Sequence, residues 1–140
     1  YTDLLLYLAS RSENIDLIKK NIGKKIILID RFVDSTLAYQ HFGMGIDAKL
    51  INMINKFLLK NIKINFTFLN LVNKKNMKLI LSKRKNLNKY DQFENNFYRN
   101  EQSGFIKISK KKPSKYLIIN SNLDINYNKQ LIFDKINKLI

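Results

Sequence analysis

Asp30 and Arg31 form the first group of residues in this chain that could bind a charged ligand. They directly follow residues 26–29, a run of isoleucine and leucine. A continuous apolar run of this length is typical of a parallel strand covered on both faces. Ligands of open α/β sheets bind outside the carboxyl ends of the strands. We therefore expect a ligand site that begins at Asp30 and Arg31.

Four polar side chains follow at a spacing that places them together. Ser35, Thr36, Tyr39 and Gln40 stand at i, i+1, i+4 and i+5, and on a helix these positions share one face. Two hydroxyls, a phenol and an amide would then meet the same ligand. The alternative is a solvated helix start capped by Asp34 or Ser35.

Tyr7 and Arg11 form a third candidate pair. Apolar residues recur at nearly a 3.6-residue period over residues 3–22, and Gly23 follows as a C-terminal stop, so the pattern predicts a helix of about five turns. Tyr7 and Arg11 are four residues apart on it and lie on one side. The alternative is a partly buried tyrosine covered by an arginine stem.

A basic stretch lies further along the chain. The cations Lys83, Arg84, Lys85 and Lys89 follow the apolar part of a predicted helix. Such a cluster at a helix end can compensate the helix dipole and aid solubility. It can equally neutralise a phosphate group.

The remaining pattern alternates between strands and helices. Strands are predicted at 26–29, 66–71 and 116–119. Helices are predicted at 47–60, with Asp47 as N-cap and Ile51, Ile54, Phe57 and Leu58 as its buried stripe, and at 73–83, 91–111 and 131–140. Such alternation implies parallel pairing through right-handed crossovers. We expect one α/β domain over residues 1–140, with a loop segment at about 82–92.

Composition restricts the chemistry. The chain has 140 residues, 45% of them hydrophobic, a formal charge of +15, no cysteine and one histidine. Disulfides and thiolate metal sites are therefore excluded, and His41 cannot build a zinc cluster.

The excess charge comes mainly from lysines spread along the chain rather than clustered, so we expect solvated faces rather than a nucleic-acid footprint. No apolar run is long enough to span a membrane, and no signal peptide is evident, so a cytoplasmic location is expected.

The four arginines carry more information than the lysines. A chain that uses lysine almost everywhere retains arginine where a planar fork is hard to replace. Arg11 and Arg31 both belong to candidate groups, and Arg84 belongs to the basic stretch.

Ordered motifs resemble those of the thymidylate kinase family. Residues 30–40, Asp-Arg-Phe-Val-Asp-Ser-Thr-Leu-Ala-Tyr-Gln, resemble its DR(Y/F/H)xxSxxAYQ signature, and residues 5–11, Leu-Leu-Tyr-Leu-Ala-Ser-Arg, resemble its LLFxAxR helix. Residues 67–71 resemble its following strand and residues 90–94 the segment after its lid. The resemblance implies a three-layer αβα, P-loop NTPase-like parallel sheet that lacks the N-terminal P-loop strand.

The resemblance also implies an activity and residue roles. The activity is transfer of the γ-phosphoryl group of ATP, with Mg²⁺, to dTMP. Tyr7 would stack on thymine, Arg11, Thr36 and Gln40 would address the base, and Tyr39 would pack under the deoxyribose beside Ser35. Arg31 would clamp the acceptor phosphate. Asp30 would orient a magnesium-bound water or Arg31, while Arg84 with Lys83, Lys85 and Lys89 would act from the lid. A homodimer is also implied.

One expected part is absent from these residues. The P-loop pattern G-x-x-x-x-G-K-[ST] does not occur, and the glycines at 23, 43, 45 and 104 cannot form it. We therefore expect the longer parent to carry this loop upstream of Tyr1, and we expect the 140 residues alone to be inactive as a kinase.

Three other functions remain open. Another P-loop nucleotide or deoxynucleoside kinase would share the fold and the Asp-Arg pair. A basic nucleic-acid-binding module would account for the charge. A degenerate homologue would retain the fold without turnover.

Overall fold

The computed structural model describes residues 1–83, 85 and 95–140. They form two compact units. The first comprises Tyr1–Ile64 and Asn95–Lys110, and the second comprises Asn65–Glu94 and Lys111–Ile140. The single-domain organisation stays a prediction.

Helix α1, Thr2–Asn21, opens the first unit and confirms the helix predicted at 3–22. Its buried positions follow the helical period: Leu4, Leu8, Arg11, Ile15 and Ile18. Two of the apolar residues that contribute to the predicted helical period, Leu5 and Ile22, are 61% and 50% exposed. Gly23 follows with φ +77°, the left-handed conformation that suits a residue just beyond a helix end.

The interior strand predicted at residues 26–29 is wrong. This segment belongs to no strand or helix, and its four side chains are between 36% and 79% exposed. Strand backbone requires hydrogen-bonding partners on a neighbouring strand. Among the described residues the two assigned strands pair only with each other. The apolar run alone could not supply that partner.

Four further helical elements belong to the first unit. Helix α2, Val33–Thr36, continues into a π-helical segment, Leu37–Gly43. Helix α3, Ala48–Leu59, begins at Asp47, whose carboxylate accepts a hydrogen bond from the Lys49 backbone N–H at 2.7 Å, as predicted for an N-cap. Helix α5, Asn95–Lys111, comes from the later part of the chain; residues 91–94 of the predicted helix lie outside the described residues.

The first unit has a core where α1 and α3 meet. Leu4, Leu8 and Ile51 are buried there, and four half-buried residues pack against them: Leu37, Ile46, Ile54 and Leu58. Phe57 was predicted in this stripe but is 67% exposed. It lies beside the stripe because Asn55, not Phe57, occupies the next inward position after Ile51.

The second unit contains the parallel sheet. Strand β1, Thr67–Leu71, pairs in parallel with β2, Tyr116–Asn120, from Thr67 opposite Tyr116 to Leu71 opposite Asn120. Both predicted strands, 66–71 and 116–119, are confirmed to within one residue. Parallel neighbours require a crossover connection, which is consistent with the α/β class.

Two helices accompany this sheet. Helix α4, Lys74–Ser82, confirms the helix predicted at 73–83. Helix α6, Ile125–Asn137, begins six residues before the predicted start at 131, because the Asp124 carboxylate caps it through the N–H groups of Asn126 and Tyr127 at 2.8 and 3.0 Å. Within the described part of the chain, no helix is both long enough and apolar enough to cross a membrane.

Candidate functional site

Arg31 stands at a bend with an unusual backbone conformation. Its φ is +57°, in the left-handed region that residues other than glycine rarely adopt. Its guanidinium lies 5.0 Å from the centroid of the Tyr39 ring, within cation–π range. Strained backbone of this kind occurs where the surrounding structure fixes it, often at ligand sites. The bend therefore directs Arg31 over the helical face predicted to bind a ligand.

Arg11 is buried on α1 and held at both ends of its guanidinium. One nitrogen donates to Asn55 Oδ1 at 3.1 Å and another donates to the Phe32 carbonyl at 3.0 Å. Burial lowers the pKa of Arg11, and the charge of nearby Asp34 partly offsets this. The guanidinium has five N–H donors, so these two bonds fix its plane and leave donors for a ligand.

The helical face predicted at residues 35–40 is formed by α2 and the π-helical segment. Thr36 and Gln40 are almost fully buried, at 2% exposure each, while Ser35 and Tyr39 are half-buried. Short π-helical turns occur frequently at functional sites because they change which side chains share a face. The sequence pattern did not predict this turn.

Seven predicted site residues line one small pocket of about 60 Å³: Tyr7, Arg11, Arg31, Ser35, Thr36, Tyr39 and Gln40. A second cavity of about 730 Å³ shares Tyr7, Arg11 and Arg31 with it and is also lined by Asp30. The small pocket suits the edge of a planar group. The larger cavity lies in the range of about 300–1,000 Å³ that accommodates ligands of nucleotide size.

Glu101 on α5 is a charged neighbour of this pocket that the sequence analysis did not identify. It is half-buried, and Tyr39 donates a hydrogen bond to its carboxylate. Burial raises the pKa of Glu101, while the Tyr39 hydrogen bond and the charge of Arg31 lower it. Burial and the Glu101 charge together raise the pKa of Tyr39 to about 12, so the phenol stays protonated at neutral pH.

Asn55 and Glu101 contact the pocket residues but were not identified from the sequence, because their sequence signals were weak. Asn55, which holds Arg11, is a buried amide on the stripe of α3. Glu101 stands four residues from Phe97 and four from Phe105, on a face that otherwise looks apolar. A polar residue in the middle of an apolar helical stripe is the signal that would have identified each of them.

The predicted lid lies mostly outside the described residues. Lys83 and Lys85 are exposed. Arg84 and Lys89 lie outside the described residues, as does most of the predicted segment 82–92. Their predicted roles are not tested by the structure.

The side chains of the pocket are suited to binding an anion and a nucleobase. Two arginines provide planar donor forks, Tyr7 provides a ring that is 46% exposed, and Gln40 provides an amide. Within residues 1–83, 85 and 95–140, no three His, Asp or Glu side chains form a group that could hold a metal ion. This set of groups, in a chain of the α/β class, has the chemistry of a nucleotide-binding protein.

Comparison with known proteins identifies the family. The family model of thymidylate kinase matches residues 1–132. The chain is 33% identical over 120 residues to the thymidylate kinase of Wolbachia pipientis wMel, covering 84% of this chain and 59% of that protein. It is 31% identical over 142 residues to that of Acholeplasma laidlawii, covering 99% and 69%. The chain belongs to the thymidylate kinase family.

A solved structure supports the same conclusion. The crystal structure of thymidylate kinase from Ehrlichia chaffeensis matches with a TM-score of 0.73 and 30% identity, over 97% of this chain and 64% of that one. The α/β, P-loop NTPase-like fold is thereby confirmed. The chain spans 59% and 66% of the length of the first two relatives it matches.

Proposed function

We propose that the protein is a dTMP kinase and that this chain supplies its acceptor-nucleotide pocket. The reaction transfers the γ-phosphoryl group of ATP to the 5′-phosphate of dTMP and gives dTDP. The observation that carries the proposal is the convergence of Tyr7, Arg11, Arg31, Tyr39 and Gln40 on one pocket. These side chains lie at the positions that resemble the family motifs.

The base would bind beside α1. The Tyr7 ring is exposed and can stack on a pyrimidine, an interaction worth about 1–3 kcal/mol. Arg11 is held in one plane by Asn55 and Phe32, so its remaining N–H groups can donate to a base carbonyl. Thr36 and Gln40 are further buried polar groups of the same pocket.

The acceptor phosphate and sugar would bind at the side of the pocket formed by Arg31, Ser35 and Tyr39. Arg31 presents a guanidinium fork, the geometry that best matches a phosphate. Tyr39 lies beneath that guanidinium and is held in place, so its neutral phenol would pack against the deoxyribose, with Ser35 next to it. The catalytic contribution of this side is alignment of the acceptor oxygen and neutralisation of its charge.

Mg²⁺ and the lid complete the proposed mechanism. Mg²⁺ in phosphoryl-transfer sites is held by one or two carboxylates together with substrate phosphates, so a dedicated cage is not needed. Asp30, exposed at the larger cavity, is a suitable carboxylate and would orient either a metal-bound water or Arg31. When bound, the ion would neutralise charge on the transferring phosphate. Lys83, Arg84, Lys85 and Lys89 are proposed to add positive charge from the lid.

The remaining expectations are part of this proposal. We propose a homodimer for the longer protein, as the resemblance implies, and a cytoplasmic location. The 140 residues taken alone contain no P-loop pattern. We therefore propose that they bind dTMP without turning over ATP.

Calorimetric titration of the chain with dTMP, dUMP, dGMP and thymidine tests the pocket. We expect dTMP to bind most tightly. Arg31→Ala should weaken dTMP at least roughly tenfold, because a charge-assisted bidentate contact is lost. Arg99→Ala, which removes an exposed arginine of α5 outside the pocket, should have no effect.

Equal binding of all four ligands, or equal effects of the two arginine variants, would reject the pocket assignment. A coupled assay of the longer protein should show ATP-dependent formation of dTDP. The same activity from the 140 residues alone would contradict the prediction that they are inactive.

A further inference from the structure

Helix α5 presents one face to the Tyr39 ring. Phe97, Glu101 and Phe105 stand at i, i+4 and i+8 and therefore share that face. The Phe97 and Phe105 rings lie 5.9 and 6.4 Å from the Tyr39 ring, both edge-to-face. Such contacts fix the ring plane and add stabilisation beyond burial alone. Glu101 lies between them on that face.

Three side chains form a hydrogen-bonded series. Arg31 donates to the Tyr39 phenol oxygen, and that phenol donates its own proton to the Glu101 carboxylate. The Arg31 guanidinium also lies over the Tyr39 ring at 5.0 Å. The phenol is thus held from both sides, by a cation on the pocket side and a carboxylate on the α5 side.

Glu101 itself does not line either cavity, whereas Tyr39 and Arg31 line the small pocket. An effect of Glu101 on a ligand must therefore pass through these two residues. Burying a carboxylate costs free energy unless it is hydrogen-bonded and paired with a positive charge. The Glu101 carboxylate therefore favours the arrangement in which Tyr39 and Arg31 are both in place.

We propose that Glu101 is a positioning residue for the nucleotide pocket, because its carboxylate holds the Tyr39 phenol and, through it, the Arg31 guanidinium. The part that concerns the nucleotide depends on the proposed function. The part that concerns the hydrogen-bonded series does not. The two parts are tested separately.

The series is tested without any ligand, by NMR of the chain labelled with ¹³Cζ-tyrosine. Among the described residues, the charged groups that shift the Tyr39 pKa are Glu101, which raises it, and Arg31, which lowers it. In the unsubstituted 140-residue chain the Tyr39 pKa is raised to about 12, so the Tyr39 signal should not titrate below pH 11. Glu101→Gln removes the negative charge that raises this pKa, and the Tyr39 signal should begin to titrate at lower pH.

Glu13→Gln is the matched control, because it removes an exposed carboxylate from α1. It should leave the Tyr39 titration unchanged, and Tyr39→Phe assigns the signal. Identical Tyr39 titrations in the parent and Glu101→Gln would overturn the proposal, whatever the chain binds.

The nucleotide part is tested by dTMP affinity in a double-mutant cycle. Glu101→Leu and Tyr39→Phe should each weaken dTMP, by roughly tenfold for loss of a hydrogen bond to a charged group. The double variant should lose little more than either single variant, because both break the same bond. Glu101→Gln keeps an acceptor oxygen and should retain most of the affinity.

Additive losses, or a loss in Glu101→Gln as large as in Glu101→Leu, would show that Glu101 acts only through general stability and would reject positioning. If the parent chain does not bind dTMP, the proposed function fails instead. The tyrosine titration then still decides whether Glu101 holds Tyr39.

Discussion

Individual residues that the motifs singled out lie together in the structure. Tyr7, Arg11, Arg31 and the polar residues of 35–40 share one pocket. Their roles toward a nucleotide stay predictions. Asn55 and Glu101 were missed because each lies on a separate helix and becomes relevant only through a contact across the fold.

The left-handed backbone at Arg31 leads to a prediction about stability. Arg31→Gly and Arg31→Ala both remove the guanidinium, but only glycine adopts φ +57° without steric cost. The left-handed conformation costs about 1–2 kcal/mol for other residues. The glycine variant should therefore be more stable than the alanine variant by about 1 kcal/mol after the added chain entropy of glycine is subtracted.

Urea unfolding of both variants measures this difference. The two should be equally poor at binding dTMP, because both lack the fork, and this shared loss serves as the control. A glycine variant less stable than the alanine variant would show that the bend at residue 31 is not strained.

The secondary-structure elements were predicted with one wrong strand, at residues 26–29, and one helix, α6, that begins six residues before its predicted start. Helices with a clear apolar period and both strands of the sheet appeared close to their predicted positions. Residues 26–29 did not, because an apolar run specifies burial but not the neighbour that provides it. The π-helical segment Leu37–Gly43 had no recognisable sequence signal.

Close packing between the π-helical segment and α5 leads to a prediction about a single methyl group. A Cβ added at Gly43 would lie 2.4 Å from Cε2 of Phe97. In an unhindered helix, Gly→Ala stabilises by about 0.5–1 kcal/mol. Here overpacking should reverse the sign, so we expect Gly43→Ala to destabilise the chain by about 1–3 kcal/mol.

The contact is tested by adding Phe97→Leu, which replaces the ring with a smaller side chain. Unfolding in urea should show that Gly43→Ala costs much less in the Phe97→Leu background than in the parent. An equal cost in both backgrounds would mean that the two residues do not contact each other in solution.

The whole molecule is dominated by its charge of +15. One ion pair, Lys19 with Asp16 at 3.4 Å, is recorded among the described residues, and it is exposed. Exposed pairs contribute little to stability, and a net charge of this size destabilises the folded state through self-repulsion.

Salt should therefore stabilise the chain. Raising NaCl shortens the screening length from about 30 Å at 0.01 M to about 3 Å at 1 M, and the urea midpoint should rise accordingly. KCl at the same ionic strength should act alike, which controls for specific ion binding. A midpoint that stays constant or falls would show that the cations are already compensated in the folded chain.

The amino-acid sequence by itself determined the family and most of the helices, because motif spacing and apolar period are local properties. It also singled out the seven residues that line one small pocket. The sequence also led to the prediction that these 140 residues alone are inactive as a kinase, since the P-loop pattern does not occur in them. Tertiary structure decided the rest. Whether residues 26–29 were buried, how Arg31 lies over Tyr39, and that a carboxylate on α5 holds that phenol all depend on contacts between distant segments. No local pattern encodes such contacts, because their energy exists only once the partner is in place.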